Sequence, residues 1–159
     1  MGITLTLAQY FIDHEIAYRL VPHPHTETAR ASAAASGLPA DRVVKGVVLK
    51  THHGFILALL PASRHLRLDT LRQLLGDDVD IANEEQVEPL FADCEPGSVP
   101  GLGAPYGLEI VVDDSLATQP DLYLEGGDHI DLVHLKGASF RKLTENGRHG
   151  RFSDALEST

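Results

Sequence analysis

The sequence predicts an α+β fold: a single domain in which a mixed, largely antiparallel, barrel-like sheet of about six to seven strands is flanked by helices. Three observations carry this reading. Strand-like runs outnumber long helical ones, two pairs of those runs are joined by short glycine-containing turns in the manner of hairpins, and no repeat, low-complexity tract or interdomain linker divides the 159 residues. A chain of this length suits one domain that removes roughly two-thirds of its unfolded surface from water. The domain is expected over residues 1–145, with a tail over 146–159 that loses its apolar pattern and frays.

Leu7, Tyr10, Phe11 and His14 follow helical spacing behind Thr6, a candidate N-cap, and Ala17-Tyr18-Arg19-Leu20-Val21 then reads as a strand. In His23-Pro24-His25-Thr26 the residue before Pro24 is pushed away from helix, and Thr26 is placed to cap an alanine-rich helix ending near Gly37. Val43 to Thr51 and Phe55 to Ala62, separated by His52-His53-Gly54, form the clearest hairpin in the chain. Asp69 is expected to cap a short helix carrying Leu71, Leu74 and Leu75 and closed by Gly76. Asn83 and Gln86 match a capping box for a second short helix, and both helices read as structural. Leu108 to Val112 resumes as a strand ending at Asp113-Asp114. Leu122 to Leu124 and Ile130 to Leu135 form a second hairpin candidate, and a last helix starts near Ala138.

Hydrophobic residues make up 43% of the chain, yet no apolar run approaches the roughly 20 residues that span a bilayer. The N-terminus carries neither a basic leader nor a signal-type apolar region, so a soluble, cytoplasmic protein is expected, with no membrane contact. Cys94 is the only cysteine, which excludes an internal disulfide and a cysteine-based zinc site. The net charge of −10 argues against broad, non-specific nucleic-acid binding, whose affinity comes from basic surface. A local grip on the end of a strand remains compatible with it.

Four features bear on chemistry. Pro96-Gly97-Ser98-Val99-Pro100-Gly101-Leu102-Gly103-Ala104-Pro105 is a rigid, backbone-rich loop: prolines fix φ, and glycines let main-chain N–H groups approach an oxygen-bearing ligand. An ordinary connecting loop has the same composition. Alternation puts Val43, Lys45, Val47 and Leu49 on one face of their strand, and Val44, Gly46 and Val48 on the other. Lys45 therefore stands on an apolar face, either snorkelling or internally paired, or reserved for a carbonyl, carboxylate or phosphate oxygen. His23 and His25 share one side of an extended stretch, as metal ligands do, but no third ligand follows, and neither metal nor cofactor is expected. Gly126-Gly127-Asp128-His129 is a turn. Gly97-Ser98-Val99-Pro100-Gly101 is not a nucleophile elbow, and Walker, dinucleotide and H-E-x-x-H signatures are absent.

Taken in order, His23-Pro24-His25-Thr26, Val43-Val44-Lys45-Gly46-Val47-Val48-Leu49, Gly97-Ser98-Val99-Pro100 with Gly103, and Gly126-Gly127 near His129 resemble the YbaK/aminoacyl-tRNA synthetase-associated domain family. The resemblance runs roughly from Ala17 to Leu143. That family contains free-standing deacylases and the editing domain inserted in bacterial prolyl-tRNA synthetases, and the resemblance implies hydrolysis of wrongly charged aminoacyl-tRNA in trans. It places the family lysine on Lys45, against the ester or the terminal ribose and phosphate, and the family loop on Gly97, Ser98 and Val99, whose backbone would hold the carbonyl or the attacking water. A hydroxyl of the terminal ribose would assist in place of a protein nucleophile. His25, Thr26, Gly46, Gly103, Gly126, Gly127, Asp128 and His129 are the implied substrate-binding positions, with Gly126 and Gly127 lining the wall opposite the loop. The implied partner is a tRNA acceptor end bearing an amino acid of the alanine, cysteine or serine type, with a synthetase as a candidate helper.

The loop departs from the family where Val99-Pro100-Gly101-Leu102 has glycine in place of a bulky or cyclic residue, which bears on pocket size. The rivals are a non-catalytic module binding an anion, a small ligand or a protein, and a hydrolase of a small ester. A basic patch at the pocket mouth would favour tRNA; an acidic rim would favour either rival.

Overall fold

The β hairpin expected between Val43 and Ala62 is the centre of the sheet. A computed structural model describes residues 3–155. In chain order its elements are α1 (Leu5–Asp13), β1 (Arg19–Pro22), α2 (Ala29–Ala35), β2 (Val43–Thr51), β3 (Gly54–Pro61), β4 (Arg64–Leu66), α3 (Leu68–Leu75), β5 (Asp80–Ile81), α4 (Glu84–Val87), β6 (Glu109–Asp113), β7 (Asp121–Glu125), β8 (Asp131–Lys136), α5 (Gly137–Leu143), β9 (Arg148–Gly150) and β10 (Ser153–Ala155). The large sheet runs β1-β8-β7-β2-β3-β6-β9, with β5 laid against β2 as an eighth strand; β4 and β10 pair separately. The β2–β7, β3–β6 and β6–β9 ladders are parallel and the others antiparallel. This is the mixed α+β domain expected, with four short strands, β4, β5, β9 and β10, that the sequence pattern does not mark. The ladder path has free ends at β1 and β9 among the described residues.

Helices cover both faces because both carry apolar side chains. Val44, Val48, Leu57, Leu124 and Val133 meet Leu7 and Phe11 of α1 and Phe140 of α5 on one face. On the other, Leu49, Ala58, Leu60 and Val111 meet Leu71 of α3 and Phe152, while Val43 and Leu132 meet Ala33 of α2. Central strands buried on two faces read as near-continuous apolar runs, which is what Phe55–Leu60 and, apart from Lys45, Val43–Leu49 show.

Several ends differ from expectation. Thr4, not Thr6, caps α1 by accepting from the Leu7 N–H, and its own N–H donates to the Gly126 carbonyl at 3.1 Å. Thr28, not Thr26, caps α2, while the Thr26 hydroxyl meets Ser32 Oγ at 2.6 Å. Asp69 caps nothing, since its carboxylate takes two arms of the Arg67 guanidinium. The Asn83–Gln86 box forms in both directions, and Gly37 and Gly76 end their helices at φ +67° and +66°.

The tail is not frayed over residues 148–155. β9 extends the sheet beside β6, β10 pairs with β4, and Phe152 is 1% exposed in the core. Its N–H donates to Asp113 Oδ1 at 3.0 Å, and its carbonyl accepts the Arg67 N–H at 2.7 Å. One aromatic and a set of backbone bonds do the anchoring, so no apolar period marks the segment. Residues 156–159 lie outside the described residues.

Candidate active site

The strand that carries Lys45 and Gly46 is open along part of one edge. The Ala62 N–H donates to the Val43 carbonyl at 2.8 Å, so the backbone groups of Val43, Lys45, Val47 and Leu49 turn toward β3, and those of Val44, Gly46 and Val48 toward the opposite edge. On that edge the β7 ladder stops at Val44↔Leu124, and the next contact is the Ala82 N–H donated to the Val48 carbonyl at 2.9 Å. Between them Gly46 has no hydrogen-bond partner for either N–H or C=O among the described residues.

A cavity of about 470 Å³ sits over this gap, floored by Gly46, Val47 and Val48 and walled by residues 94–99 and by Val87 and Phe91. The loop comes close: a Cβ on Gly46 would stand 3.1 Å from Val99 Cγ1 and 3.3 Å from the Pro100 carbonyl oxygen. Gly97 turns the loop at φ +82°. The Ser98 N–H is spent inside the loop on the Glu95 carbonyl (3.0 Å), whereas those of Gly97 and Val99 make no hydrogen bond among the described residues. Ser98 is 2% exposed and its Oγ has no hydrogen-bond partner among the described residues. Glu84, Glu88 and Glu95 also line the cavity, and among the described residues no lysine or arginine does.

The turn at 126–129 braces the loop from behind. The Glu95 N–H donates to the Gly127 carbonyl at 2.8 Å, and His129 donates its Nε2–H to the Pro96 carbonyl at 2.6 Å. That bond, the Thr26 N–H on the His129 carbonyl and two N–H groups on Asp128 Oδ1 hold His129 at φ +64°, a conformation costly for a bulky residue. His25 is exposed, with its ring 5.0 Å from that of His129. His23 is buried and its Nδ1–H donates to Pro24, so the two histidines do not form a ligand pair. Burial raises the pKa of Glu125 above the carboxylate range although Ser32 donates to it, and burial plus the neighbouring Asp128 carboxylate raises that of Asp131 to about 6.

Lys45 does not point into this cavity. Its ammonium donates to the Arg64 carbonyl at 2.7 Å on the opposite face of the strand from Gly46, and burial, then the nearby Arg30 charge, lowers its pKa. No carboxylate pairs with Lys45, Arg30 or Arg64 among the described residues. Gly126 and Gly127 lie under the loop rather than on an opposite wall: a Cβ on Gly127 would meet Thr4 and Cys94, and one on Gly126 would meet Ile3. Gly103 packs against Leu108 and Ile110.

Of the expected positions, the structure brings Gly46, Gly97, Ser98 and Val99 to one cavity, puts His25, Thr26, Asp128 and His129 in the supporting network, and sets Lys45 across the strand. The wall from α4 onward was not foreseen. Its signal was present in Val87 and Phe91, four residues apart beside the capping box, with Glu84 and Glu88 likewise spaced. Cys94 lines the cavity as a thiol, because burial pushes its pKa up to about 12.

Over 131 residues the chain is 28% identical to a proline–tRNA ligase of Xanthomonas axonopodis pv. citri, covering 81% of this chain and 23% of that protein. A 65-residue stretch is 32% identical to the proline–tRNA ligase of Thermosipho africanus, covering 40% of this chain and 12% of that one. The chain thus spans less than a quarter of the length of these relatives. Among solved structures, the hypothetical protein APE2540 superposes with TM-score 0.83 at 21% identity, over 94% of this chain and 99% of that one. A proposed trans-editing enzyme for prolyl tRNA synthetase superposes with TM-score 0.77 at 25% identity, over 94% and 93%. Residues 23–143, which contain the cavity loop, the β2 edge and the bracing turn, match the aminoacyl-tRNA editing domain, and the chain belongs to that family.

Proposed function

We propose that this protein is an aminoacyl-tRNA deacylase that acts in trans on tRNA mischarged with a small amino acid of the alanine, cysteine or serine type. The observation that carries this is the cavity built where a glycine loop with unpartnered N–H groups closes over the open edge of β2. Val48, Val87, Phe91 and Val99 give it apolar walls suited to a short side chain, and each methylene too many is rejected by about 1–3 kcal/mol.

Water is the nucleophile. Its oxygen adds to the acyl carbon, the bond from that carbon to the ribose oxygen breaks, and the ribose oxygen takes a proton, leaving the free amino acid and tRNA. The Cys94 thiol is protonated, no base among the described residues contacts Ser98, and His129 is committed to Pro96, so no protein nucleophile is called for. The terminal ribose hydroxyl assists the water, and the Gly97 and Val99 N–H groups receive the developing oxyanion. Because the sheet is open beside Gly46, a substrate reaching over that edge meets both faces. Lys45, with Arg30 and the Arg64 segment beside it, then takes a phosphate of the acceptor end. The synthetase-helped form of the reaction holds the rest of a tRNA that a −10 chain does not grip itself.

The acidic rim supports a second reading, hydrolysis of a small amino-acid ester without RNA. Comparing alanyl-tRNA with alanine methyl ester separates the two: the first reading expects kcat/KM for the tRNA ester to exceed that for the methyl ester by at least about 100-fold, the share that remote binding contributes. Equal values would support the second.

A further inference from the structure

The editing reading leaves open what part of the substrate the β2 edge and the acidic rim recognise. Gly46 presents one donor and one acceptor side by side, the pattern with which a strand binds another strand. Both lie on a cavity floor, where an unpaired backbone group is costly unless a ligand or water takes it. Ser98 adds a buried hydroxyl without a partner among the described residues at the same cavity. Three carboxylates, Glu84, Glu88 and Glu95, stand around it without a cation among the lining residues. An RNA phosphate is repelled by such a rim; a protonated amine is attracted to it.

We infer that the Gly46 edge binds the amino-acid backbone itself: its C=O accepts from the free α-ammonium of the acyl group, and its N–H donates to the acyl carbonyl oxygen. The carboxylate rim supplies the charge complement to the ammonium, and Ser98 closes the polar contact from the loop side. Recognition through main chain is blind to the side chain, which the apolar walls read separately. The ligand class is therefore an L-amino-acid ester or amide with an unblocked α-amine. An N-acylated, peptidyl or formylated amino acid loses the charge and the donors that the site is shaped for. This inference rests on the deacylase reading for its biological substrate, but not for its test.

The probe is L-alaninamide against N-acetyl-L-alaninamide, followed by amide NMR shifts of Gly46, Gly97 and Ser98 in the full chain. The expected result is saturable shifts at Gly46 with L-alaninamide and an affinity weaker by at least about tenfold for the acetylated compound, the loss of a charge-assisted hydrogen bond. Changing Glu84, Glu88 and Glu95 together to glutamine weakens L-alaninamide about tenfold and leaves the acetylated compound unchanged; all three are exposed, so the fold tolerates the change. Equal affinity for both compounds, or no shift at Gly46, overturns the inference. Alanyl-tRNA against N-acetylalanyl-tRNA then reads the same discrimination in turnover. If neither is hydrolysed, nor cysteinyl- or seryl-tRNA, the deacylase reading falls, while the shifts still decide the binding inference.

Discussion

Gly46→Ala tests the close approach of loop and strand. The added methyl would stand 3.1 Å from Val99 Cγ1, 3.2 Å from Leu57 Cδ1 and 3.3 Å from the Pro100 carbonyl oxygen, each inside ordinary van der Waals contact. The leucine methyl can rotate aside. Val99 is β-branched and stiff, and Pro100 contributes backbone, so the loop itself must shift by a few tenths of an ångström. Overpacking of this kind costs about 1–3 kcal/mol. If the shift moves the oxyanion donors by that amount of free energy, kcat/KM falls roughly 5- to 150-fold. The assay is deacylation of mischarged tRNA, with urea denaturation to show that the variant remains folded. Val99→Ala, added to Gly46→Ala, returns space and recovers part of the loss, a coupling that only neighbours show. A Gly46→Ala protein within twofold of wild type would refute the geometry. Gly97→Ala is the companion: its Cβ meets His129 at 3.6 Å without clash, so only the strain of φ +82° acts. That strain is about 1–2 kcal/mol, and the loss of activity is correspondingly smaller.

Three further outcomes are expected. Phe152→Ala empties a fully buried site in the tail and lowers unfolding free energy by about 3–5 kcal/mol in urea; a change below about 1 kcal/mol would mean that the tail does not complete the domain. Asp131, whose folded pKa of about 6 lies above the ordinary aspartate value, is stabilising in its protonated form, so its contribution is present below about pH 4 and is lost as pH rises through about 6. Asp131→Asn is therefore more stable than wild type at pH 7.5 by on the order of 2 kcal/mol and gains nothing at pH 4, compared by denaturation at both values. A constant difference would contradict a buried Asp131 carboxyl whose pKa is raised by burial and by Asp128. Lys45→Ala and Arg30→Ala raise KM for aminoacyl-tRNA and each lower the slope of log KM against log salt by about one; an unchanged slope would remove them from phosphate binding.

What the sequence made legible was local. The Val43–Ala62 hairpin, the Asn83–Gln86 box and the left-handed glycines at 37 and 76 are set by neighbours in the chain. Thr6 and Thr26 are as good caps as Thr4 and Thr28 in isolation; the Gly126 carbonyl and the Ser32 hydroxyl, distant in sequence or across a turn, settle which is used. Alternation separates Lys45 from Gly46, whereas the family resemblance assigns both to contact with the substrate. The open edge between β7 and β5 cannot be seen in the β2 sequence, because it depends on where two other strands stop. The tail was misread for a similar reason, since its anchors are backbone bonds and a single phenylalanine.

The most direct test of the account is deacylation of one tRNA charged in turn with alanine, cysteine, serine and proline, by the wild-type protein with and without prolyl-tRNA synthetase. The account predicts turnover of at least one small amino acid and none of the cognate proline ester. Intact esters throughout, from a protein shown to be folded, would contradict it.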